Sequence, residues 1–562
     1  MKNRETEAAW AYHDSTKHSY QSVRTNPHYL DWENQPIPFK IYSKLDPIPL
    51  PQQLSSSGMP ALVAIGTAVA SDKEFVAPTS QTLAEILFLS AGVTRRRSYP
   101  GGEMLFRAAA CTGALYHIDL YLACGDLVDL EAGVYHFSPH DFALRRLRQG
   151  DHRAVLARAS GNEPSVATAP VILACASTYW RNAWKYQARA YRHCYWDNGT
   201  ILANLLAAAS SRQLPARVVV GFVDGAVSTL LGLDANHEAP LSLVALGHTT
   251  AHAPAPLPTV EPLALETVPL SKSEIDYPAM SAMHEASSLE NEAEIAAWRG
   301  EAPRNGPSTK LRAGGRRRDE GGKEARLFSL QPLGDDEIPQ DKFEEVVIRR
   351  GSTRQFARES ITFAQLSTML DRATRGIAAD FLNPAESLND LYLIVHAVDD
   401  LPPGAYYFRR EERALELLKE GDPSTRAPAL AEVSRSGFRP TGVLEDATSL
   451  PVGLHFRREA GNLGLGQEIP ADCSVNVYVL ADLHCALERF GNRGYRAAQL
   501  EAGIMGGKLY LAAYAQRLGA SGLTFFDDDV IEFFSPHAAG KSVMFLIALG
   551  KSVKRREGMK VL

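Results

Sequence analysis

Long apolar runs are missing from this chain: in 562 residues none reaches the roughly 18 needed to span a bilayer. The opening stretch, MKNRETEAAWAYHDSTKHSY, is polar and has no apolar segment of the secretory kind. A basic excess is missing too. The formal charge is −6 and the pI is near 6.3, which argues against nucleic acid as a partner. Cysteine is scarce, and Cys111, Cys124, Cys175, Cys194, Cys473 and Cys485 form no CxxC pair and no zinc-like spacing. The expectation is a cytoplasmic protein with reduced, mostly buried thiols, no metal site and no membrane contact. With 45% hydrophobic and 22% charged residues the balance is that of an ordinary globular protein. The length asks for two domains.

What the chain does contain is a repeat. HIDLYLACGDLVDLEAGVYHF, from His117, aligns without a gap on LNDLYLIVHAVDDLPPGAYYF, from Leu388. Asp119 then matches Asp390, Tyr121 matches Tyr392, Gly133 matches Gly404 and Tyr135 matches Tyr406. KYQARAYRHCYWDNGTILANLLAAA, from Lys185, aligns in the same way on RFGNRGYRAAQLEAGIMGGKLYLAA, from Arg489. Here Arg189 meets Arg493, Arg192 meets Arg496 and Gly199 meets Gly503. Two such blocks in the same order mark a duplicated domain.

Each copy has the same grammar. DLYLACG and DLYLIVHAV are β-rich runs followed by a glycine turn and a short aromatic strand, a hairpin pattern. VILACAS, VNVYVLAD, LSLVALG and VMFLIALG are continuous apolar runs of the buried-strand type. The Ala/Leu-rich stretches after Asn198 and Glu501 lack proline and predict long buried helices. Helices on a mainly antiparallel sheet make an α+β sandwich. The boundaries read as an N-terminal extended arm at 1–57, a first domain at 58–250, a Pro- and Gly-rich linker at 251–335 and a second domain at 336–562. Within the linker, HAPAPLPTVEPLALETVPL should be extended and RNGPSTKLRAGGRRRDEGGKEAR mobile. Its run Arg316, Arg317, Arg318 is followed at once by acids and reads as solvated.

Residues able to carry chemistry fall unevenly. In IRRGSTRQF, Arg350, Ser352 and Arg354 alternate, so an extended segment turns all three to one face. Two guanidiniums around a hydroxyl suit a phosphate monoester; a solvated arginine cluster is the other reading. Lys551, Lys554, Arg555 and Arg556 follow the last strand, either as a second basic contact or as a frayed tail. ASGLTFF places Gly522 and Leu523 where backbone can approach a flat ring. In the first copy, RAAACTGALYHIDLYL puts Thr112, Gly113, Ala114 and Leu115 in a loop before a strand, where N–H groups could face an anion or a ring edge. A tight packing turn would use the same residues. WKYQARAYR sets Lys185 beside Tyr186, a pair able to move protons at a substrate or simply a surface lysine next to a core aromatic.

Together these residues resemble the nitroreductase superfamily, and most closely its SagB-like azoline dehydrogenases of thiazole- and oxazole-forming peptide pathways. The resemblance covers roughly Pro60 to Gly247 and Asp341 to Arg556. RRGSTRQF is similar to the family's Arg-x-Ser-x-Arg flavin-phosphate motif. CTGALYHID resembles its Pro-Ser-(Ala/Gly)-Gly-Ala-Leu-Tyr-Pro loop, with Cys111 and His117 in place of the prolines. ASGLTFFDDD resembles the segment facing the flavin N5 edge, GKSVKRR the basic C-terminal contact, and Lys185-Tyr186 the catalytic Lys-Tyr pair of the azoline branch. The resemblance implies two fused nitroreductase-like domains forming an internal pseudo-dimer that binds FMN between them.

The copies diverge in a complementary way. The first has MPALVAIGTAVASD where the arginine motif should be, and ends GHTTAHAP without a basic cluster. The second reads NPAESLNDLYL instead of the glycine loop and has Arg489-Phe490 for Lys185-Tyr186. One complete site, hence one FMN, is expected per chain. The implied activity is oxidation of a small or peptide-like substrate by hydride transfer to flavin N5. The alternatives are an NAD(P)H-dependent nitro or quinone reductase, and a flavin-binding partner protein that has lost catalysis.

Overall fold

The computed structural model describes residues 2–25, 27–70, 75–100, 102–250, 258–300, 325–383, 386–421 and 452–553. Its core is two seven-stranded sheets of identical plan. The first runs Pro47–Pro49, Ala143–Gln149, Gly133–Ser138, Ile118–Cys124, Val171–Thr178, Glu238–Leu246, Ala216–Val219. The second runs Leu327–Ser329, Ala414–Glu420, Gly404–Arg409, Asn389–Val395, Val475–Ala481, Ser542–Gly550, Gly519–Leu523. All neighbouring strands within them are antiparallel. The central strands are buried along their whole length, which is why they read as unbroken apolar runs. The α+β expectation holds in both copies.

Two long helices, Ala190–Ser211 and Asn492–Ala515, pack against each other between the sheets. Both are buried on every side, and their small residues permit close approach. An ideal Cβ on Gly199 would stand 2.5 Å from the carbonyl carbon of Gly503, and one on Gly507 would stand 2.6 Å from Cβ of Ala203. Gly199 and Gly503 are matched positions of the repeat, so the helices cross where the pseudo-twofold axis must lie.

Reciprocal ion pairs hold the two copies. Arg189 and Arg192 of the first copy reach Asp527 of the second, at 3.0 and 2.6 Å. Arg493 and Arg496 of the second reach Asp224 of the first, at 2.6 and 2.7 Å. All six side chains are buried. The arginines hold the Asp527 carboxyl far below its ordinary range and Asp224 down at about 2, against the opposing effect of burial.

Two expectations about the flanks change. The arm is not extended throughout: it carries helices at Glu7–Ser15 and Tyr20–Thr25. The linker carries helices at Pro278–Ala286 and Glu292–Arg299, while its basic run lies outside the described residues. The flanks correspond to each other. Arg192 donates to the His13 carbonyl and the Thr16 hydroxyl, and Arg496 donates to the His284 carbonyl and the Ser287 hydroxyl. His13 and His284 are separated by the same spacing as His117 and Leu388. The repeat therefore includes the arm, and the helical part of the linker is the second copy's arm.

Candidate functional site

The small-residue loop is anchored by an acid that sequence reasoning missed. Asp197, on the first long helix, accepts from the Thr112 N–H at 2.9 Å and the Thr112 hydroxyl at 2.8 Å. It also accepts from the Cys111 thiol at 3.1 Å and His117 Nε2 at 2.9 Å. Ser177 meets the other ring nitrogen of His117 at 2.8 Å. Cys111, His117 and Asp197 offer ligand atoms within 4.8 Å of one another, a convergence not anticipated from sequence. Here the Asp197 carboxylate is engaged by four donors and works as a loop anchor. Burial, then Asp197, push the Cys111 thiol up, so it stays protonated. The matched acid in the second copy, Glu501, accepts from Ser387, the Leu388 N–H and Asn389 at 2.7–2.8 Å.

Anchoring bends the loop sharply. Gly113, Ala114 and Tyr116 have φ of +66°, +55° and +48°, and Thr112–Ala114 forms one turn ahead of Leu115 and the strand Ile118–Cys124. The turn is tied from within: the Ala114 N–H donates to the Cys111 carbonyl, the Leu115 N–H to the Thr112 carbonyl and the Tyr116 N–H to the Cys111 sulfur. Gly113 is held to glycine twice over, because an ideal Cβ there would also lie 2.9 Å from the Tyr186 hydroxyl.

Lys185 and Tyr186 end the helix Tyr179–Tyr186. The Lys185 ammonium lies 5.4 Å from the centre of the Tyr186 ring rather than on its hydroxyl. Tyr186 packs edge-on against His193, with centroids 4.6 Å apart, and His193 is held by Asn182 at 2.8 Å. Burial, then Asp197 and Cys111, raise the Tyr186 phenol well above its ordinary range, while Arg354 of the second copy opposes them. The phenol is neutral throughout the physiological range.

The second copy supplies the facing wall. Arg350 is buried, and its guanidinium lies over the Tyr510 ring, 5.9 Å from the centroid. Its Nε donates to the Ala108 carbonyl and its Nη2 to the Arg107 carbonyl, both at 2.8 Å, across the boundary between copies. Ser352 meets the Tyr510 hydroxyl at 3.3 Å, and that hydroxyl also accepts from the Gly522 N–H. Gly522 and Leu523 lie on the edge strand Gly519–Leu523. Arg354 is exposed, with no hydrogen bond or ion pair among the described residues. Lys551 pairs with Glu359 at 3.3 Å; Lys554 and Arg555 lie outside the described residues. Tyr510 is the second contributor that sequence reasoning missed. The structure thus sets Gly113 against Tyr186, ties Arg350 to the carbonyls that precede the loop, joins Ser352 to Gly522 through Tyr510, and brings the Arg354 charge within electrostatic reach of Tyr186.

The matched position on the other side of the axis is closed. Phe490, the counterpart of Tyr186, stacks on Trp298 with centroids 5.2 Å apart. Trp298 is 1% exposed, and its ring lies 2.6 Å from where a Cβ on Gly221 would stand. Asp380 accepts from the N–H groups of Val220 and Gly221 at 2.9 and 3.0 Å and pairs with Arg299 at 3.2 Å. Val218, the counterpart of Gly522, is bridged to Ala379. Protein groups fill this side; on the other, Arg354 has no hydrogen bond or ion pair among the described residues.

An exposed arginine, a serine hydroxyl and a tight glycine loop beside a half-buried phenol suit a phosphorylated planar ring. The nitroreductase family model matches residues 109–248 and 347–551, and the chain belongs to that family, a family of oxidoreductases that generally bind flavin. "Putative nitroreductase MJ1384" of Methanocaldococcus jannaschii is 29% identical over 169 residues, covering 30% of this chain and 80% of that protein. A crystal structure of "a putative nitroreductase" from Anabaena variabilis aligns over 97% of this chain and 99% of its own, with a TM-score of 0.70 and 23% identity. That likeness extends the two-copy fold to a second chain of matching span. The E. coli microcin synthetase McbBCD complex, with truncated pro-MccB17 bound, aligns over 36% of this chain and 71% of its own at a TM-score of 0.28 and 22% identity. Among the described residues no helix is long and apolar enough to cross a membrane.

Proposed function

We propose that the chain is an FMN-dependent oxidase or dehydrogenase with a single flavin held between its two copies. The observation that carries this reading is the asymmetry: one interface position sets the glycine loop against the Tyr186 phenol, and its mirror image is filled by Trp298 and Asp380. Arg354 and Ser352, with Lys551 and the basic residues after it, would take the phosphate. Arg350 would set the distance between this grip and the loop, since it already ties the phosphate motif to the carbonyls of Arg107 and Ala108. The backbone at Thr112–Leu115 and Gly522 would meet the ring edges.

Bound flavin supplies a hydride acceptor at N5. The chain's own residues supply the rest. Tyr186, a neutral phenol fixed against His193 and Gly113, would donate a hydrogen bond to a substrate heteroatom and so orient the C–N or similar bond. Arg354 lowers the cost of phenolate, and the Lys185 charge lies over the same ring, so the pair eases proton transfer at the Tyr186 oxygen. A small or peptide-like amine or azoline is the substrate class.

Aerobic turnover without NAD(P)H tests the reading. The purified protein should be yellow, release FMN on denaturation, and consume oxygen with an azoline or amine substrate alone. A strict requirement for NAD(P)H would make it a reductase of nitro compounds or quinones. Unchanged turnover in Tyr186→Phe and Lys185→Ala would remove catalysis from this pair.

A further inference from the structure

Between the helix Ser80–Ala91 and the small-residue loop, the first copy inserts a two-stranded hairpin, Val93–Tyr99 and Gly102–Arg107. The second copy has no strand between its helix Phe363–Ala373 and Asn389 among the described residues; the shorter stretch there closes the mirror site through Ala379 and Asp380. Among the described residues the hairpin therefore exists only on the side that carries Tyr186 and the glycine loop. Its base is fixed to that site: Arg107 N–H donates to the Tyr116 hydroxyl at 3.1 Å, and the Arg107 carbonyl is one of the two that Arg350 holds.

Beyond the base, the hairpin is solvated on both faces and pairs with no further strand. Pairing sets Arg95 opposite Phe106, Arg97 opposite Met104 and Tyr99 opposite Gly102, so these side chains share one face. Arg96 lies on the other face, where it meets Glu103 at 3.5 Å. The Arg95 face has no acid. Neither Arg95 nor Arg97 has a hydrogen bond or ion pair among the described residues, while Tyr99 is 52% and Met104 47% exposed. At about 3.3 Å per residue, Arg95 to Tyr99 spans roughly 13 Å of alternating cation and apolar surface.

From this we propose that the hairpin docks an extended acidic peptide segment by strand addition, leading it into the neighbouring site. Carboxylates spaced two apart meet Arg95 and Arg97, and apolar residues meet Tyr99 and Met104. The free backbone edge supplies the ladder. Arg95 is also close enough for its charge to add to the effect of burial in lowering the Arg350 pKa, so a docked carboxylate relieves repulsion between cations at the base. This deepens the reading of the neighbouring site as one for a peptide-like substrate and rests on it.

The test uses the full-length protein as purified and a fluorescein-labelled peptide, Asp-Ser-Asp-Ser-Leu-Ser, whose two carboxylates and leucine share one face of a strand, read by anisotropy. The same peptide with lysine for aspartate is the control. The acidic peptide should bind at least tenfold more tightly than its basic isomer. Arg95→Glu/Arg97→Glu should weaken it tenfold or more, and Arg95→Lys/Arg97→Lys should largely restore it. Equal binding of the two peptides, or unchanged binding in the Glu variant, overturns the proposal. So does displacement of the acidic peptide by saturating NADPH, which would assign the arginines to a nucleotide. Visible flavin absorbance on the same samples scores the site separately: flavin lost with peptide binding kept refutes the site reading and leaves the docking strand standing.

Discussion

Gly199 and Gly503, equivalent residues of a duplicated sequence, touch each other: a Cβ on the first would lie 2.5 Å from the carbonyl carbon of the second. Contact between matched positions occurs only on the axis relating the copies. The two domains are thus packed as a symmetric dimer whose subunits share one chain. Leucine at either position has backbone, not a yielding side chain, in its way. Gly503→Leu should destabilise the protein by about 1–3 kcal/mol or more as an overpacking change, measured as a lowered denaturation midpoint. Unchanged stability would place the axis elsewhere.

The reciprocal clamps give a second expectation. Asp527→Asn leaves Arg189 and Arg192 buried with their shared negative charge gone, a loss on the order of 3–5 kcal/mol. Asp224→Asn should cost a similar amount through Arg493 and Arg496. Because each clamp joins opposite copies, both variants should also loosen flavin. A variant that unfolds more easily yet holds flavin as wild type does would separate the clamps from the site.

Lys508 makes a pH-dependent contribution. It is buried on the second long helix, donates to the Arg375 carbonyl, and burial with the nearby Arg375 charge lowers its pKa from 10.5 to about 7. The unfolded chain therefore binds this proton between about pH 7 and 10.5 and the folded chain does not. Stability from this group rises with pH across that window and is at its minimum below it. Compared with Lys508→Met, the wild type should gain stability from pH 7 to pH 10 in urea titrations. A difference that stays flat or falls would show that Lys508 is charged in the fold.

Trp298 closes the mirror site. Trp298→Ala should cost about 3–5 kcal/mol as a buried large-to-small change. It should not add a second flavin, because Asp380 would repel a phosphate and the Arg299 beside it is already paired with that carboxylate. Two flavins per chain in this variant would show that the plug alone excludes the cofactor.

The strands and long helices were legible because continuous apolar runs and the alignment of the copies specify them independently. The loop at Thr112–Leu115 and the arginine motif were legible as local patterns. The hold on Arg350 was not, because its partners are carbonyls from the other copy, which no local pattern can show. Asp197 carries no local signal: one acid in an alanine-rich helix reads as solvated. Its match with Glu501 across the repeat was the available clue, since acids at the same place in two apolar helices need the same kind of partner. The arm helices were missed because their repeat is short and diverged, AYHDST against AMHEAS, and proline nearby dominated the reading.

Removing the phosphate grip tests the cofactor end. Arg350→Ala and Arg354→Ala should each weaken FMN, with a charge-assisted contact worth on the order of 2–3 kcal/mol. The routes differ: Arg354→Ala loses a phosphate partner, whereas Arg350→Ala also frees the carbonyls of Arg107 and Ala108. Equilibrium titration of the apoprotein measures both. FMN affinity untouched in the double variant would refute the assignment.

Flavin quantitation against protein concentration addresses the central claim most directly. The account predicts one FMN per chain, lost in Gly113→Trp although that residue lies in the first copy and the arginine motif in the second. Two FMN per chain in the wild type, or full flavin occupancy in Gly113→Trp, would contradict it.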